Sequence, residues 1–260
     1  MQMKDKVAVV LGASAEGGTG WGVAEALAAE GAKVVVAARR REPLEALAGK
    51  ISGTAVVCDA ADPEQIAALA RAAQEAYGPV DLAVNSAALP AMGMIADAPL
   101  KRVRASLDVN YIGHVCFVRE MAAVMRDGGA ITLISTAAAS QPTAGFFPYA
   151  CAKAATDALV RYAALEYGPR KIRVNAILPG TIATGQAKAF LAAPGMEKLV
   201  TDGIPLRRVG VPEDYAEAAL WLAGDAFVTG LSLDVSGGAQ LGRFPRAAER
   251  AALGADTDNL

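Results

Sequence analysis

"KVAVVLGASAEGGTGWGVAEALAAEGAKVVVAARR", Lys6 to Arg40, decides the fold. A short apolar run ends in a glycine turn, the turn opens a stretch with helical spacing, Gly31 closes it, and a second apolar run follows at 32–38. Glycines between a strand and a helix permit a tight turn and let backbone N–H groups at the helix amino end approach a pyrophosphate. A glycine turn alone means little, but a strand before it and a helix and strand after it are the context a dinucleotide site requires.

The alternation continues outward from this unit. Runs 53–58, 80–85, 130–135, 172–177 and 231–236 read as further strands, nearly continuous in apolar character, as expected when both faces of a sheet are covered. Helical patterns fill 43–50, 62–78, 100–125, 149–168 and 212–225. Asp62-Pro63 is a cap followed by proline at the first helical position, and Gly31, Gly78 and Gly168 stand where helices should end. The pattern predicts an α/β chain: one Rossmann-like, doubly wound parallel sheet of about seven strands, with helices on both faces and right-handed crossovers. A single domain is expected over 1–241, with a substrate lid at roughly 181–205 and a C-terminal extension at 242–260.

Composition narrows the function classes. The chain has 260 residues, a net charge of -2 and scattered basic residues, which argues against a nucleic-acid surface. Polar residues interrupt every apolar run well short of the roughly 20 residues a membrane span needs. The amino end lacks a secretory pattern, so a soluble, cytoplasmic protein is expected. Cys58, Cys116 and Cys151 are far apart, without paired metal spacing, and no metal is expected. The single histidine, His114, reads as a structural or surface residue.

In such a sheet, ligands bind beyond the carboxyl ends of the strands. The second strand ends in Ala38-Arg39-Arg40, where an acidic residue would accept hydrogen bonds from a ribose and arginines instead offer charge to a 2'-phosphate. NADP(H) is therefore favoured over NAD(H). Asp59 lies just past the third strand, and Asn85 with small neighbours follows the fourth. In 149–168, Tyr149 stands four residues ahead of Lys153, one turn apart on the same helix face.

These features in this order resemble the short-chain dehydrogenase/reductase family, in its Tyr-x3-Lys branch, over roughly Lys6 to Gln240. Gly12, Gly18 and Gly20 resemble the family's glycine segment, Asp59 its adenine contact, Asn85-Ser86-Ala87-Ala88 its Asn-Asn-Ala-Gly, Asn110 its active-site asparagine, and Tyr149 with Lys153 its catalytic pair. Pro179-Gly180 and Gly237-Gly238 match its nicotinamide-side loop and final glycines. The resemblance implies a cofactor site built from Gly12, Ser14, Gly18, Thr19, Gly20, Arg39, Arg40, Asp59, Ala60, Asn85, Ala87, Tyr149, Lys153, Pro179, Gly180, Ile182 and Thr184. Two departures stand out. Five residues, Ala13 to Gly17, separate Gly12 from Gly18, a longer turn similar to that of bacterial enoyl reductases. The family's catalytic serine, thirteen residues before the tyrosine, is Thr136 here. Ser135 is adjacent, but consecutive side chains at a strand end point to opposite faces, and register favours Thr136.

The implied reaction interconverts a ketone and a secondary alcohol. Tyr149 exchanges the proton, Lys153 lowers the phenol pKa, Thr136 orients the substrate oxygen, and Asn110 holds a water that links Lys153 to solvent. Phe190 and other apolar residues of the lid, with Met92, Met94, Phe146 and Phe147, suggest an apolar pocket for a bulky carbonyl or alcohol substrate. A 3-oxoacyl thioester reductase, an enoyl reductase and a non-catalytic NADP(H)-binding regulator are the alternatives. The resemblance also implies a homo-oligomer, a dimer or tetramer, and Phe244 in the extension is expected to reach a neighbouring subunit's pocket.

Overall fold

The computed structural model describes residues 3–253. In chain order it runs β1 (Val7–Leu11), α1 (Thr19–Ala29), β2 (Lys33–Ala38), α2 (Arg41–Lys50), β3 (Thr54–Val57), α3 (Pro63–Tyr77) and β4 (Val80–Asn85). Then come α4 (Leu100–Leu107), a π-helical turn at Asp108–Ile112, α5 (Gly113–Val124), β5 (Met125–Ile134), α6 (Phe147–Tyr167) and β6 (Arg173–Pro179). The last elements are α7 (Gly185–Leu191), α8 (Met196–Asp202), α9 (Pro212–Ala223), β7 (Ser232–Val235) and α10 (Ala247–Ala251).

The seven strands form one parallel sheet in the order β3-β2-β1-β4-β5-β6-β7. All five residues of β1 are buried, and the pleat sends them alternately to two cores. Val7, Val9 and Leu11 pack with Ile66 and Leu69 of α3, Phe117 and Met121 of α5, and Val160 of α6. Ala8 and Val10 face the other way, against Trp21 and Leu27 of α1, Leu44 of α2, and Tyr215 and Leu222 of α9. Each such aliphatic side chain contributes about 1.5–3 kcal/mol by leaving water, and covering both faces explains why the strands read as unbroken apolar runs. Among the described residues no helix is long and apolar enough to cross a membrane.

Local signals account for several boundaries. Asp62 caps α3 by accepting from Glu64 N and Gln65 N at 2.9 and 3.2 Å, and Gly78, at φ +91°, ends that helix. At the end of α6 the expected glycine stop is absent. Gly168 keeps φ -50°, the helix tightens into a 3-10 turn over Gly168–Arg170, and Lys171 makes the left-handed reversal at φ +57°. The stretch 100–125 is not one helix but two, joined by the π turn at Asp108–Ile112. β5 begins five residues earlier than its apolar run, because Met125 already pairs with Val80 and Arg126 reaches Asp81 at 3.1 Å. The lid folds into α7 and α8 around Leu191, Met196, Val200 and Ile204.

Candidate active site

The chain order reverses between β1 and β4, and a cleft of about 1150 Å³ opens beyond the carboxyl ends there. Residues following β1 through β6 all line it. Six strands at about 4.8 Å each span roughly 24 Å, a length that accommodates a dinucleotide.

At one end lie the glycine turn, Arg39, Arg40, Asp59 and Ala60. Gly12 has φ +93°, and a Cβ there would overlap the Ala87 backbone nitrogen, so this glycine lets the turns after β1 and β4 approach each other. Gly20 sits in the first turn of α1, where a Cβ would overlap the Gly12 carbonyl. The amino end of α1, with Gly18 and Thr19, opens on the cleft, where the first-turn N–H groups of a helix favour an anion. Arg40 donates to Ser14 Oγ and, at 2.6 Å, to the Ser14 carbonyl, which braces the turn against the end of β2. Arg39 lines the cleft and has no hydrogen bond or ion pair among the described residues. The glycine turn and the amino end of α1 fit the pyrophosphate of a dinucleotide.

Asn85 is placed differently from the expectation. It is fully buried behind the wall, accepting from Ala87 N at 3.0 Å, while Ser86, Ala87 and Ala88 form the surface. It sits in the middle of the sheet, and the chain turns outward only after it.

At the other end, Tyr149 stands on the first turns of α6, near enough to the Thr136 hydroxyl for that group to favour its phenolate. Both residues line the cleft, beside Pro179, Gly180, Ile182 and Thr184 at the end of β6. Thr136 Oγ1 also accepts from Ala138 N at 3.2 Å, which fixes its rotamer. Ser135 points the other way, buried, with its hydroxyl toward the Lys153 carbonyl at 3.4 Å.

Lys153 is 1% exposed. Its Nζ donates to the Ile134 carbonyl at 2.6 Å and lies 3.4 Å from His114 Nε2 and 5.9 Å from the centre of the Tyr149 ring. Burial pulls its pKa down to about 7, against the opposing charge of Asp157. Burial also pushes the Tyr149 phenol up to about 12, with only the Thr136 hydroxyl working the other way. The expected acidifying effect of Lys153 on the phenol is therefore missing from this arrangement, since the ammonium is turned toward Ile134 and His114.

The Asn110 side chain is spent on structure. It accepts from Leu89 N at 3.0 Å and donates to the Leu89 carbonyl at 2.8 Å and Ser106 Oγ at 3.1 Å. Its own carbonyl takes the Thr156 hydroxyl at 2.6 Å. The π turn exposes that carbonyl to α6, and the same residue pins the Leu89 wall of the cleft.

Of the expected substrate contacts, Phe146 and Phe190 line the cleft. Met94 does not, being 53% exposed, and neither does Phe147. Met92 takes the place, because the backbone pairs at Gly93 with the Phe146 strip and carries Met94 past the rim. Phe244, expected to reach a neighbour, lines this chain's own cleft, with its ring 6.2 Å from Phe146 in an edge-to-face contact. Gln141 Nε2 anchors that segment on the carbonyls of Ala239 and Gly242, at 2.9 and 2.7 Å. Residues 254–260 of the extension lie outside the described residues.

Sheet order, switch-point cleft and glycine turn define a dinucleotide-binding α/β protein. Comparison with known proteins narrows the class. Residues 12–240 match a family model described as enoyl-(acyl carrier protein) reductase. The chain is 37% identical over 235 residues to 2,5-dichloro-2,5-cyclohexadiene-1,4-diol dehydrogenase of Sphingobium indicum, covering 85% of this chain and 93% of that protein. A short-chain type dehydrogenase/reductase from Mycobacterium ulcerans superposes with a TM-score of 0.91 at 28% identity, over 99% of this chain and 100% of that one. A single-substitution variant of actinorhodin polyketide ketoreductase, solved with NADPH, superposes with a TM-score of 0.84 at 28% identity, over 92% and 98%. The chain belongs to the short-chain dehydrogenase/reductase family, and is an oxidoreductase that uses a nicotinamide cofactor.

Proposed function

We propose that the chain interconverts a ketone and a secondary alcohol on a hydrophobic, ring-bearing substrate, with NADP(H) as the hydride carrier. The observation that carries this reading is that Tyr149 and Thr136 line the same wall of the cleft, with Tyr149 one helical turn from Lys153. A bound nicotinamide supplies the hydride and, once oxidised, a positive ring.

The protein's own groups handle the proton. A phenol held near pKa 12 keeps its proton at neutral pH, which suits the acid in the reductive direction. As hydride reaches the carbonyl carbon, Tyr149 Oη gives its proton to the carbonyl oxygen, and the Thr136 hydroxyl donates to whichever oxygen carries the charge. The phenolate is then reprotonated from Lys153, whose pKa near 7 lets it hold and release a proton at working pH. Asn110 fixes the Leu89 wall and the π turn and thereby the approach of α5 to α6.

The choice of NADP(H) is supported by Ala38 at the end of β2 and by Arg39, which has no internal partner among the described residues to compete with a 2'-phosphate. Arg40 supports it indirectly, by holding the turn at Ser14. Phe146, Phe190, Phe244 and Met92 favour a substrate with a flat or bulky apolar body. The cyclic diol named for the Sphingobium relative is compatible with that pocket. A homo-oligomer fits the exposed Tyr162 and Leu165 on α6. A second reading, enoyl thioester reduction, is favoured by the long glycine turn and by the description of the matching family model.

A substrate panel tests the proposal. Bulky cyclic ketones, 3-oxoacyl thioesters and enoyl thioesters are offered with NADPH and with NADH. Turnover of a cyclic ketone with NADPH is expected; oxidation of NADPH by enoyl thioesters alone would replace this reading with the second, and no cofactor oxidation with any of them would reject both.

A further inference from the structure

His114 has no role in the reaction described above, yet it is fully buried and its imidazole lies against the lysine that the reaction uses. The fold brings it there in a specific way. Gly113 lies where a Cβ would overlap the Ala60 carbonyl, so α5 presses on the cofactor side of the cleft. The Thr156 hydroxyl grips the Asn110 carbonyl and ties the π turn to α6. His114 lies one turn beyond Asn110 and faces Lys153 across that junction.

We propose that His114 is a positioning residue for Lys153: its neutral imidazole accepts a hydrogen bond at Nε2 and, with the Ile134 carbonyl, fixes the amine and sets its proton affinity. The argument is one of valence. The Lys153 nitrogen carries Cε and three further positions. Two N–H bonds directed at Ile134 O, 2.6 Å away, and His114 Nε2, 3.4 Å away, leave one position for the proton that is exchanged. The amine then keeps its place in both charge states, because two donors remain after the third proton has gone. Acceptance at Nε2 requires the proton to sit on Nδ1, an atom that is buried and has no hydrogen-bond partner among the described residues. The imidazole stays neutral, because burial, then the neighbouring ammonium, hold its pKa well below the usual value, with the Ala87 backbone pulling weakly the other way.

Other ionisable groups around the pair are few. Asp157, on the next turn of α6, favours the charged form of Lys153; its own pKa is raised by burial, against the Ser135 hydroxyl and the charges of Lys153 and Arg161, and its buried Oδ1 has no hydrogen-bond partner among the described residues. Tyr149 flanks Lys153 on the cleft side. From β5 and the residue after it come only the Ile134 carbonyl and Ser135. Among the described residues, His114 is thus the one titratable side chain on α5 that contacts the amine.

This inference rests on the proposed reaction for its catalytic meaning, but its test does not need turnover. The chain contains a single histidine, so a 15N-histidine-labelled wild-type protein shows one imidazole. Across pH 5 to 9 the spectrum is expected to report a neutral Nδ1–H tautomer whose Nε2 signal steps near pH 7, as Lys153 titrates. An Nε2–H tautomer, or an imidazole that protonates with a midpoint near its ordinary value of about 6.5, would overturn the proposal. Lysine 13Cε titration, assigned by the signal lost in Lys153→Met, reads the partner directly. His114→Leu removes an acceptor from the ammonium and is expected to lower the Lys153 midpoint by about one unit, roughly a tenfold change, while His114→Gln restores it. An unmoved midpoint in His114→Leu would equally overturn the proposal. The acid limb of the kcat pH profile, with whichever ketone the panel identifies, should shift with the lysine midpoint. A shifted midpoint without any carbonyl turnover would reject the reaction and leave the positioning role standing.

Discussion

Replacing Lys153 by methionine should stabilise the fold while disabling it, and the gain should depend on pH in a defined direction. Lys153 is 1% exposed, and burial lowers its pKa from 10.5 to about 7. Between those values the unfolded chain binds a proton that the folded chain does not, so wild-type stability rises with pH through the window from about 7 to 10.5. A displacement of this size is worth about 5 kcal/mol in the limit of low pH, about 4 kcal/mol at pH 7, and under about 1 kcal/mol at pH 10. Methionine has similar length and no charge to desolvate. It leaves the Ile134 carbonyl and His114 Nε2 without their donor, which costs about 1 kcal/mol each. The variant should therefore be about 2 kcal/mol more stable than wild type at pH 7, an advantage that disappears or reverses by pH 10. Urea unfolding followed by the fluorescence of Trp21 and Trp221 at pH 7, 8, 9 and 10 measures it. An offset that stays constant with pH, or a variant less stable than wild type at pH 7, would refute the buried-amine reasoning.

Three further outcomes follow from the same geometry. Gly12→Ala places a Cβ on the Ala87 nitrogen at a backbone angle of φ +93°, and should cost at least about 2 kcal/mol in denaturant unfolding together with loss of cofactor binding. Arg39→Ala should raise the KM for NADPH by about 10- to 100-fold while changing that for NADH little, and equal effects on both would reject the 2'-phosphate assignment. Phe244→Ala should raise the KM for a bulky ketone several-fold and spare a small one, since it opens the aromatic end of the cleft without touching Tyr149 or Thr136.

The strands and their parallel arrangement were legible because burial on both faces leaves a local mark, an apolar run, that needs no knowledge of partners. The Tyr149–Lys153 pair was legible for a similar reason, since helix periodicity alone puts both on one face. What escaped depends on contacts between distant segments. The stretch 100–125 has an uninterrupted helical pattern, and only the Thr156 hydroxyl on the Asn110 carbonyl, 46 positions away, marks the π turn that divides it. β5 starts at Met125 through pairing with Val80, although its first residues are charged or glycine. The neighbours of Asn85 and Met94 in the chain point both residues to the cleft, but the sheet buries one and the loop carries the other past the rim. His114 gives no sign of its partner, 39 positions along the chain. Phe244 reads as a pocket residue, yet which pocket it enters depends on Gln141, about a hundred positions earlier.

The central claim is that the Tyr149 hydroxyl transfers the proton. Tyr149→Phe keeps the ring on the cleft wall and removes only that oxygen. With NADPH and the most active ketone of the panel, kcat should fall by at least about a thousandfold while the Kd for NADPH, read by fluorescence titration, changes less than about threefold. A variant that retains kcat within about tenfold of wild type would contradict the account.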